Sequence, residues 1–527
     1  MNHQNRLFTT LAALLLTAGF AASSPAAERS EQQLQQQYPN RGVFGINLSS
    51  PSDHNPQFPF VNLIKQARPW QTSPGQHPRE VMDADGNLTA MPDEGEPYLT
   101  TILGDKHPAG RYILTWDGTG KFSIPRYDAT EILKEEPNRL EFQVKPEQGI
   151  YVRAVEIDPQ DPPRNLRLVH ESMVDAPTSF NPEFLEMVEP FGVLRFMDWM
   201  HTNGSDQEKW ENRPRPEMLT WRMDHAHGVP VEVMCELANV LKADAWFCMP
   251  HLADDNYVRE FAKIVKDKLD PDRKIYIEYS NEVWNWNFEQ SRYAVEKGKE
   301  VLGVEEGQAP HRAWVAHRSG EMFAIWEEVF GGTERFIRVN PAHGANPRIA
   351  RQTLEFQDAH QHFDAIAIAP YFGFNKELAG RFKADEASIE EILDAAETVI
   401  TEKVSEMTRE HKALADQYGM ELIAYEAGQH LLDRAGRRQS GETELSKRFI
   451  EANRTPRMGE LYELYIDTWF ENGGGVLGMF ASVSTPSKWG SWGLKEYLTQ
   501  PIEDAPKYQA TLKAIKNPDL PVASAGE

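Results

Sequence analysis

From about Ser179 onward the chain alternates short apolar runs with amphipathic stretches. That alternation restricts the fold more than any other feature. Strands that are each followed by a helix pair in parallel, and helices then cover the sheet. The apolar runs are Gly192-Val193-Leu194-Arg195-Phe196-Met197, Ala245-Trp246-Phe247-Cys248-Met249-Pro250, the segment around Ile275 and Ile277, Phe336-Ile337-Arg338-Val339, 364–369, 422–427 and 475–480. Val43-Phe44-Gly45-Ile46-Asn47-Leu48 brings the total to eight. Between them the 3.6-residue period predicts helices. One runs through Glu189 behind a cap at Asn181 or Ser179, and another covers 230–242 with Val233, Leu237 and Leu241 on one face. A third carries Tyr257, Phe261, Ile264, Val265 and Leu269, and others span 309–330, roughly 387–418 and 456–471. The expected class is α/β, and the expected architecture is a (β/α)8 barrel.

A barrel of this kind takes about 250 residues, more with insertions, and the chain has 527. The surplus has a different texture. Between 83 and 172, turn signals such as Asp85-Gly86-Asn87 and Asp117-Gly118-Thr119-Gly120 separate short runs including Tyr112-Ile113-Leu114-Thr115-Trp116 and Leu140-Glu141-Phe142-Gln143-Val144. That pattern predicts a small antiparallel β-rich module inserted after the first barrel strand, either a sugar-binding accessory or a wall of the cleft. Residues 28–82 are expected to be a frayed, glutamine-rich leader followed by the first strand. Residues 173–515 complete the barrel, and 516–527 form a tail.

Residues 1–27 have the layout of an export signal. Arg6 precedes an apolar run from Leu7 to Ala22, and small residues follow to Ala27. The mature protein is expected to be periplasmic or secreted, with no membrane span. The net charge of −25 argues against nucleic acid or an anionic membrane as a partner. It also weighs against strongly anionic polysaccharides unless a local basic cleft overrides it. Cys235 and Cys248 could form a bridge in an exported protein or remain two buried thiols. Oligomeric state is not encoded in any pattern visible here.

The residues with chemistry gather at strand ends. Lys274-Ile275-Tyr276-Ile277-Glu278-Tyr279-Ser280 runs into Asn281-Glu282, followed by Trp284 and Trp286. Leu422-Ile423-Ala424-Tyr425 runs into Glu426. An acid can protonate a glycosidic oxygen, an amide can hold a hydroxyl, and indoles can lie on pyranose faces. In a parallel barrel all strand carboxyl ends share one face, so two distant glutamates can meet there. Asp224-His225-Ala226-His227 has a His-x-His but no clear further ligands. No metal or cofactor is expected.

On Asn281-Glu282 at the fourth strand and Glu426 at the seventh, the chain resembles the clan of retaining β-glycosidases that includes cellulases, mannanases and β-galactosidases. The resemblance implies Glu282 as general acid/base, Glu426 as nucleophile, and Asn281 as a ligand of the sugar 2-hydroxyl. It implies Arg195 and Tyr371 as supports of the nucleophile and His251 as a substrate contact. Members of the clan place a Trp under the sugar after the eighth strand. Here that strand ends in Phe480, and Trp489 and Trp492 follow, so either could serve, with Trp284 a further candidate. The cellulase-like members have His two residues before the Tyr, whereas this chain has Ala369. The implied activity is hydrolysis of a neutral oligo- or polysaccharide with retention. The competing classes are a non-catalytic carbohydrate-binding barrel and a metal-dependent hydrolase built on His225, His227 and His251.

Overall fold

The computed structural model describes residues 29–125, 129–145, 149–222, 228–305, 307, 309–373, 387–434 and 436–522. Eight parallel strands close into a barrel: β1 (Phe44–Asn47), β2 (Val193–Arg195), β3 (Asp244–Met249), β4 (Ile275–Tyr279), β5 (Phe336–Pro341), β6 (Ala365–Ile368), β7 (Glu421–Ala427) and β8 (Leu477–Met479). Each pairs with the next in the chain, and β8 returns to β1. The chain is therefore a (β/α)8 barrel carrying extra antiparallel sheets. All eight expected strands form in the expected order.

The strands are buried on both faces, and period two divides their side chains between two cores. Val193, Trp246, Tyr276, Val339, Ala367, Ile423 and Tyr425 belong to a cluster that fills the barrel. Their neighbours Leu194, Phe247, Ile275, Ile277, Ile366 and Leu422 belong to the larger core shared with the helices. The helices follow the sequence signals closely. Asn181 caps Pro182–Val188 and accepts from the Glu183 N–H. The helices Val231–Leu241, Asp255–Lys268, Pro310–Phe330 and Pro456–Glu471 lie where the periodicity puts them. The long 387–418 region begins at a Ser388/Glu391 capping box and passes through a π-helical stretch at Val399–Val404.

Between β1 and β2 lie two antiparallel sheets. One orders Tyr98–Ile102, Ile150–Ile157 and Gly120–Ser123; the other orders Ala129–Glu136, Arg139–Val144, Gly110–Asp117 and Arg164–His170. They have their own core, in which Trp70, Tyr112, Trp116, Phe122 and Phe142 meet. Phe58, Leu63, Ile64 and Leu219 join it from outside the strands.

The start of the described chain departs from expectation. Residues expected to fray form a helix, Glu31–Gln37, with a reciprocal Ser30/Gln33 capping box. Glutamine is a good helix former, and one apolar residue per turn suffices to dock the helix. Leu34 is 1% exposed and Tyr38 is 6% exposed. Arg29 Nη1 pairs with Glu189 at 2.5 Å, and Glu31 pairs with Arg273 at 2.8 Å. Leu34→Ala should cost about 2–4 kcal/mol of local stability. Hydrogen exchange across 31–38 would then accelerate strongly, whereas unchanged protection would mean the helix is not anchored there.

Cys235 and Cys248 are both buried free thiols. No helix among the described residues is long and apolar enough to cross a membrane. Residues 1–27, read from the sequence as an expected export signal, and His225, His227 and the end of the tail lie outside the described residues.

Candidate active site

Arg195, the last residue of β2, organises the carboxyl face of the barrel. It is 1% exposed, and a guanidinium so placed needs anions and acceptors around it. Its Nη2 donates to Glu278 at 3.0 Å and to Asn281 Oδ1 at 2.9 Å. Its Nη1 donates to Asn47 Oδ1 at 2.9 Å and to Glu426 Oε1 at 3.1 Å. Glu278 also accepts from Trp246 Nε1 at 2.8 Å and from the Cys248 thiol at 3.4 Å. Glu278 is thus the fully enclosed counter-ion, and Glu426, 6% exposed, the one nearer the surface. The fork geometry of arginine serves both at once.

Glu426 gets there through an irregularity. Tyr425 points into the barrel, so strict alternation would turn Glu426 away from it. The β7–β8 register shifts between Ala424 and Ala427, and such a bulge re-aims the side chain beside it. Gly478 on β8 makes room for this. A Cβ there would lie 2.7 Å from the Ala424 carbonyl oxygen and 2.8 Å from that of Tyr425. The second oxygen of Glu426 accepts from the Tyr371 hydroxyl at 2.8 Å. A short parallel ladder, Phe372–Gly373 with Gln429–His430, extends beyond β6 and β7 and holds Tyr371 at the rim.

Glu282 is positioned by a tight loop after β4. Ser280 (φ 58°) and Glu282 (φ 44°) are both left-handed, at a cost of about 1–3 kcal/mol each for residues other than glycine. They flank Asn281 and send its amide inward while the Glu282 side chain stands at the cleft. Glu282 Oε2 accepts from Asn285 Nδ2 at 2.8 Å, and Oε1 lies 3.2 Å from the Tyr425 hydroxyl. Burial, and then the Glu426 charge, push the Glu282 carboxyl up to about 8. It is therefore protonated at neutral pH. The Tyr425 hydroxyl also faces the Ala342 carbonyl at 3.4 Å. It can accept from protonated Glu282 while donating to that carbonyl.

The sequence-predicted residues thus divide into groups. Arg195, Asn281, Glu426 and Tyr371 are joined by hydrogen bonds, and Glu282 reaches them through the Tyr425 hydroxyl and the charge of Glu426. Of the two candidate platforms, Trp492 sits at the site. Its ring lies 5.9 Å from that of Tyr371 and 5.7 Å from that of Phe480. Trp489 stands farther out, 52% exposed, with its carbonyl accepting from Trp492 Nε1 at 3.0 Å. Trp284 packs onto the top of the barrel core, edge-to-face with His343. His251 is 5% exposed, with its ring against Tyr293. Burial pulls it down to about 4, so it is neutral there.

Several partners escaped the sequence reading. Asn47 at the end of β1 donates to the carbonyls of Tyr425 (2.8 Å) and Met479 (3.2 Å), tying three strand ends together beside Arg195. Asn203 accepts from Asn281 Nδ2 at 3.1 Å and from Gln290 at 2.7 Å. Asp198, three residues beyond Arg195, feels Glu426; burial and that charge push it up to about 7. Only Asn47, as an amide at a strand end, carried a signal comparable to Asn281. Asn203 lies in a loop, and Gln290 sits in the first turn of the helix Glu289–Glu300.

No protein-family model and no curated protein matches the sequence. Among solved structures, the chain is similar to a GH10 xylanase from Thermobacillus composti at 10% identity and a TM-score of 0.32, covering 62% of this chain and 91% of that one. It is similar to native xylanase 10C from Cellvibrio japonicus at 11% identity and a TM-score of 0.34, covering 82% and 94%. It is also similar to a family 51 α-L-arabinofuranosidase from Bifidobacterium longum at 12% and 0.37, covering 64% and 66%. At such TM-scores the likeness is loose, and the activity has to be read from this chain's own side chains.

Proposed function

We propose that the protein is a retaining β-glycoside hydrolase in which Glu426 is the nucleophile and Glu282 the general acid/base. One observation carries this reading. Two carboxyl groups share the mouth of the barrel in different surroundings: burial and the neighbouring Glu426 charge push the Glu282 carboxyl up, while Glu426 accepts from Arg195 at 3.1 Å and from Tyr371 at 2.8 Å. A carboxyl kept protonated by its surroundings beside a second one bonded to a guanidinium and a hydroxyl suits glycoside hydrolysis.

In the first step Glu426 attacks the anomeric carbon as Glu282 passes its proton to the departing glycosidic oxygen. The attack converts Glu426 into an ester and removes its charge. One of the two influences holding the Glu282 proton then disappears, so Glu282 becomes the base that activates water for the second step. Trp492 and Tyr371 flank the nucleophile where a sugar ring would lie. Asn281 has one N–H committed to Asn203 and is placed to offer the other to a hydroxyl. The apolar Leu7–Ala22 run behind Arg6 supports export, in keeping with an extracellular glycan substrate.

A panel of oligosaccharides and polysaccharides, scored by reducing-end release with NMR of the first-formed anomer, tests the reading. Retained configuration is expected. Inversion, or binding of glycans without cleavage of any, would overturn it. The pH profile supplies a second check. Glu282 must carry its proton to act, so kcat/KM should fall as pH rises through about 8. In Glu426→Gln the neighbouring charge is gone, and the Glu282 carboxyl should titrate at lower pH by ¹³C NMR. Glu282→Ala should lose far more activity on natural glycosides than on those with activated aryl leaving groups, by about 100-fold or more. Equal losses on the two would remove Glu282 from the acid role.

A further inference from the structure

The rim of the cleft beyond Trp492 is cationic in a protein of net charge −25. Residues 434–440 contain Arg434, Arg437 and Arg438 and no acidic residue, and all three arginines are exposed. Lys488 approaches them from the loop after β8. The Arg437 guanidinium lies 5.1 Å from the ring centre of Trp489 and Lys488 Nζ lies 5.0 Å from it. Lys488 Nζ also donates to the Gln439 carbonyl at 2.5 Å. The neighbouring carboxylate, Asp433, is occupied within its own turn by the Gly436 N–H and the Thr443 hydroxyl. An indole already carrying two cations is a post that fixes charge at the cleft edge, not a bare platform for a sugar face.

This rim is continuous with the candidate catalytic centre. Trp489 accepts from Trp492, Trp492 packs on Tyr371 and His430, and Tyr371 bonds Glu426. The arginine field reaches inward as well. Burial first, then Arg434 and Arg437, pull His430 down to about 4. His430 therefore adds no charge of its own, and Arg434, Arg437, Arg438 and Lys488 outnumber the acidic Asp433 and Glu442 on this side of the cleft.

We propose that this rim binds an anionic substituent of the substrate, so that the cleft takes a glycan bearing carboxylates or sulfates rather than a neutral one. The inference rests on the glycosidase reading of the cleft. It reverses the expectation drawn from net charge, because recognition depends on the few charges facing the ligand and not on the sum over the molecule. Arginine recognises both carboxylate and sulfate-like oxyanions through paired N–H donors.

The test measures binding and cleavage by the full-length protein with three sets of oligosaccharides. One set is neutral (cello-, xylo- and manno-oligosaccharides), one bears uronates (oligogalacturonates and glucuronoxylan fragments), and one is sulfated (carrageenan fragments). At least one anionic set should bind more tightly than every neutral one, with affinity falling as salt rises. Arg437→Ser combined with Lys488→Ser should weaken that binding by about tenfold or more, the scale of a lost charge-assisted contact. Arg437→Lys should retain part of it, and unchanged melting would show that the variants fold. The uronate and sulfate sets separate the two kinds of anion. Preference for a neutral ligand, affinity indifferent to the double substitution, or no binding by either anionic set would overturn the proposal. Anionic glycans bound but never cleaved would instead sink the glycosidase reading and leave the rim assignment standing. Neutral glycans cleaved with retention, and no anionic preference, would do the reverse.

Discussion

Glu426→Gly should abolish turnover, lowering kcat by about 10⁵-fold while the fold and glycan binding survive. Arg195 keeps Glu278, Asn47 and Asn281 as partners in that variant, so the site should not collapse. The space vacated by the carboxylate lies beside Tyr371 and Arg195, where a small anion can enter. Azide should then restore part of the turnover on substrates with activated leaving groups. The product should be a glycosyl azide of inverted configuration, because only one displacement occurs. In Glu282→Ala the same anion should intercept the glycosyl-enzyme and give the retained azide. The two stereochemical outcomes assign the two glutamates independently of any rate. An inverted azide from the Glu282 variant, or rescue of neither, would reverse or remove the assignment.

Arg195→Met should be the most destabilising single change at the site. It leaves Glu278, 0% exposed, without its cation, a situation that costs about 3–5 kcal/mol. Burial already presses the Glu278 carboxyl upward, and the Arg195 interaction opposes that push. Arg195→Met with Glu278→Gln should regain most of the lost stability, since the buried charge is then removed on both sides. Activity should stay lost in the double variant, because Glu426 still lacks its guanidinium donor. Denaturation midpoints and kcat/KM measured on the single and double variants separate these roles. If Arg195→Met melts with the native protein, or if the double variant recovers activity, the guanidinium does not play the part assigned to it.

Much of this was legible from local pattern. Apolar alternation located the eight strands, and the cap at Asn181 located a helix start. The strand-end positions of Glu282 and Glu426 followed from chain-local reading plus the shared direction of barrel strands. The leader was misjudged because composition hides how little apolar surface a docked helix needs; Leu34 and Tyr38 were enough. Trp489 and Trp492 could not be told apart because they lie three residues from each other in a loop, where no period applies. The structure puts one against Tyr371 and the other under two cations.

By itself, the order of residues determined the barrel, the count and direction of its strands, and the face on which two carboxylic acids would emerge. Those properties follow from periodicity and from steric rules that act over a few residues. What only the folded molecule decided was what surrounds those acids. The bulge that turns Glu426 toward Arg195, the amide of Asn47 from a strand far away in the chain, and the proton kept on Glu282 all depend on groups that packing brings together. Charge and burial act through space, and separation along the chain says nothing about that distance until the barrel closes.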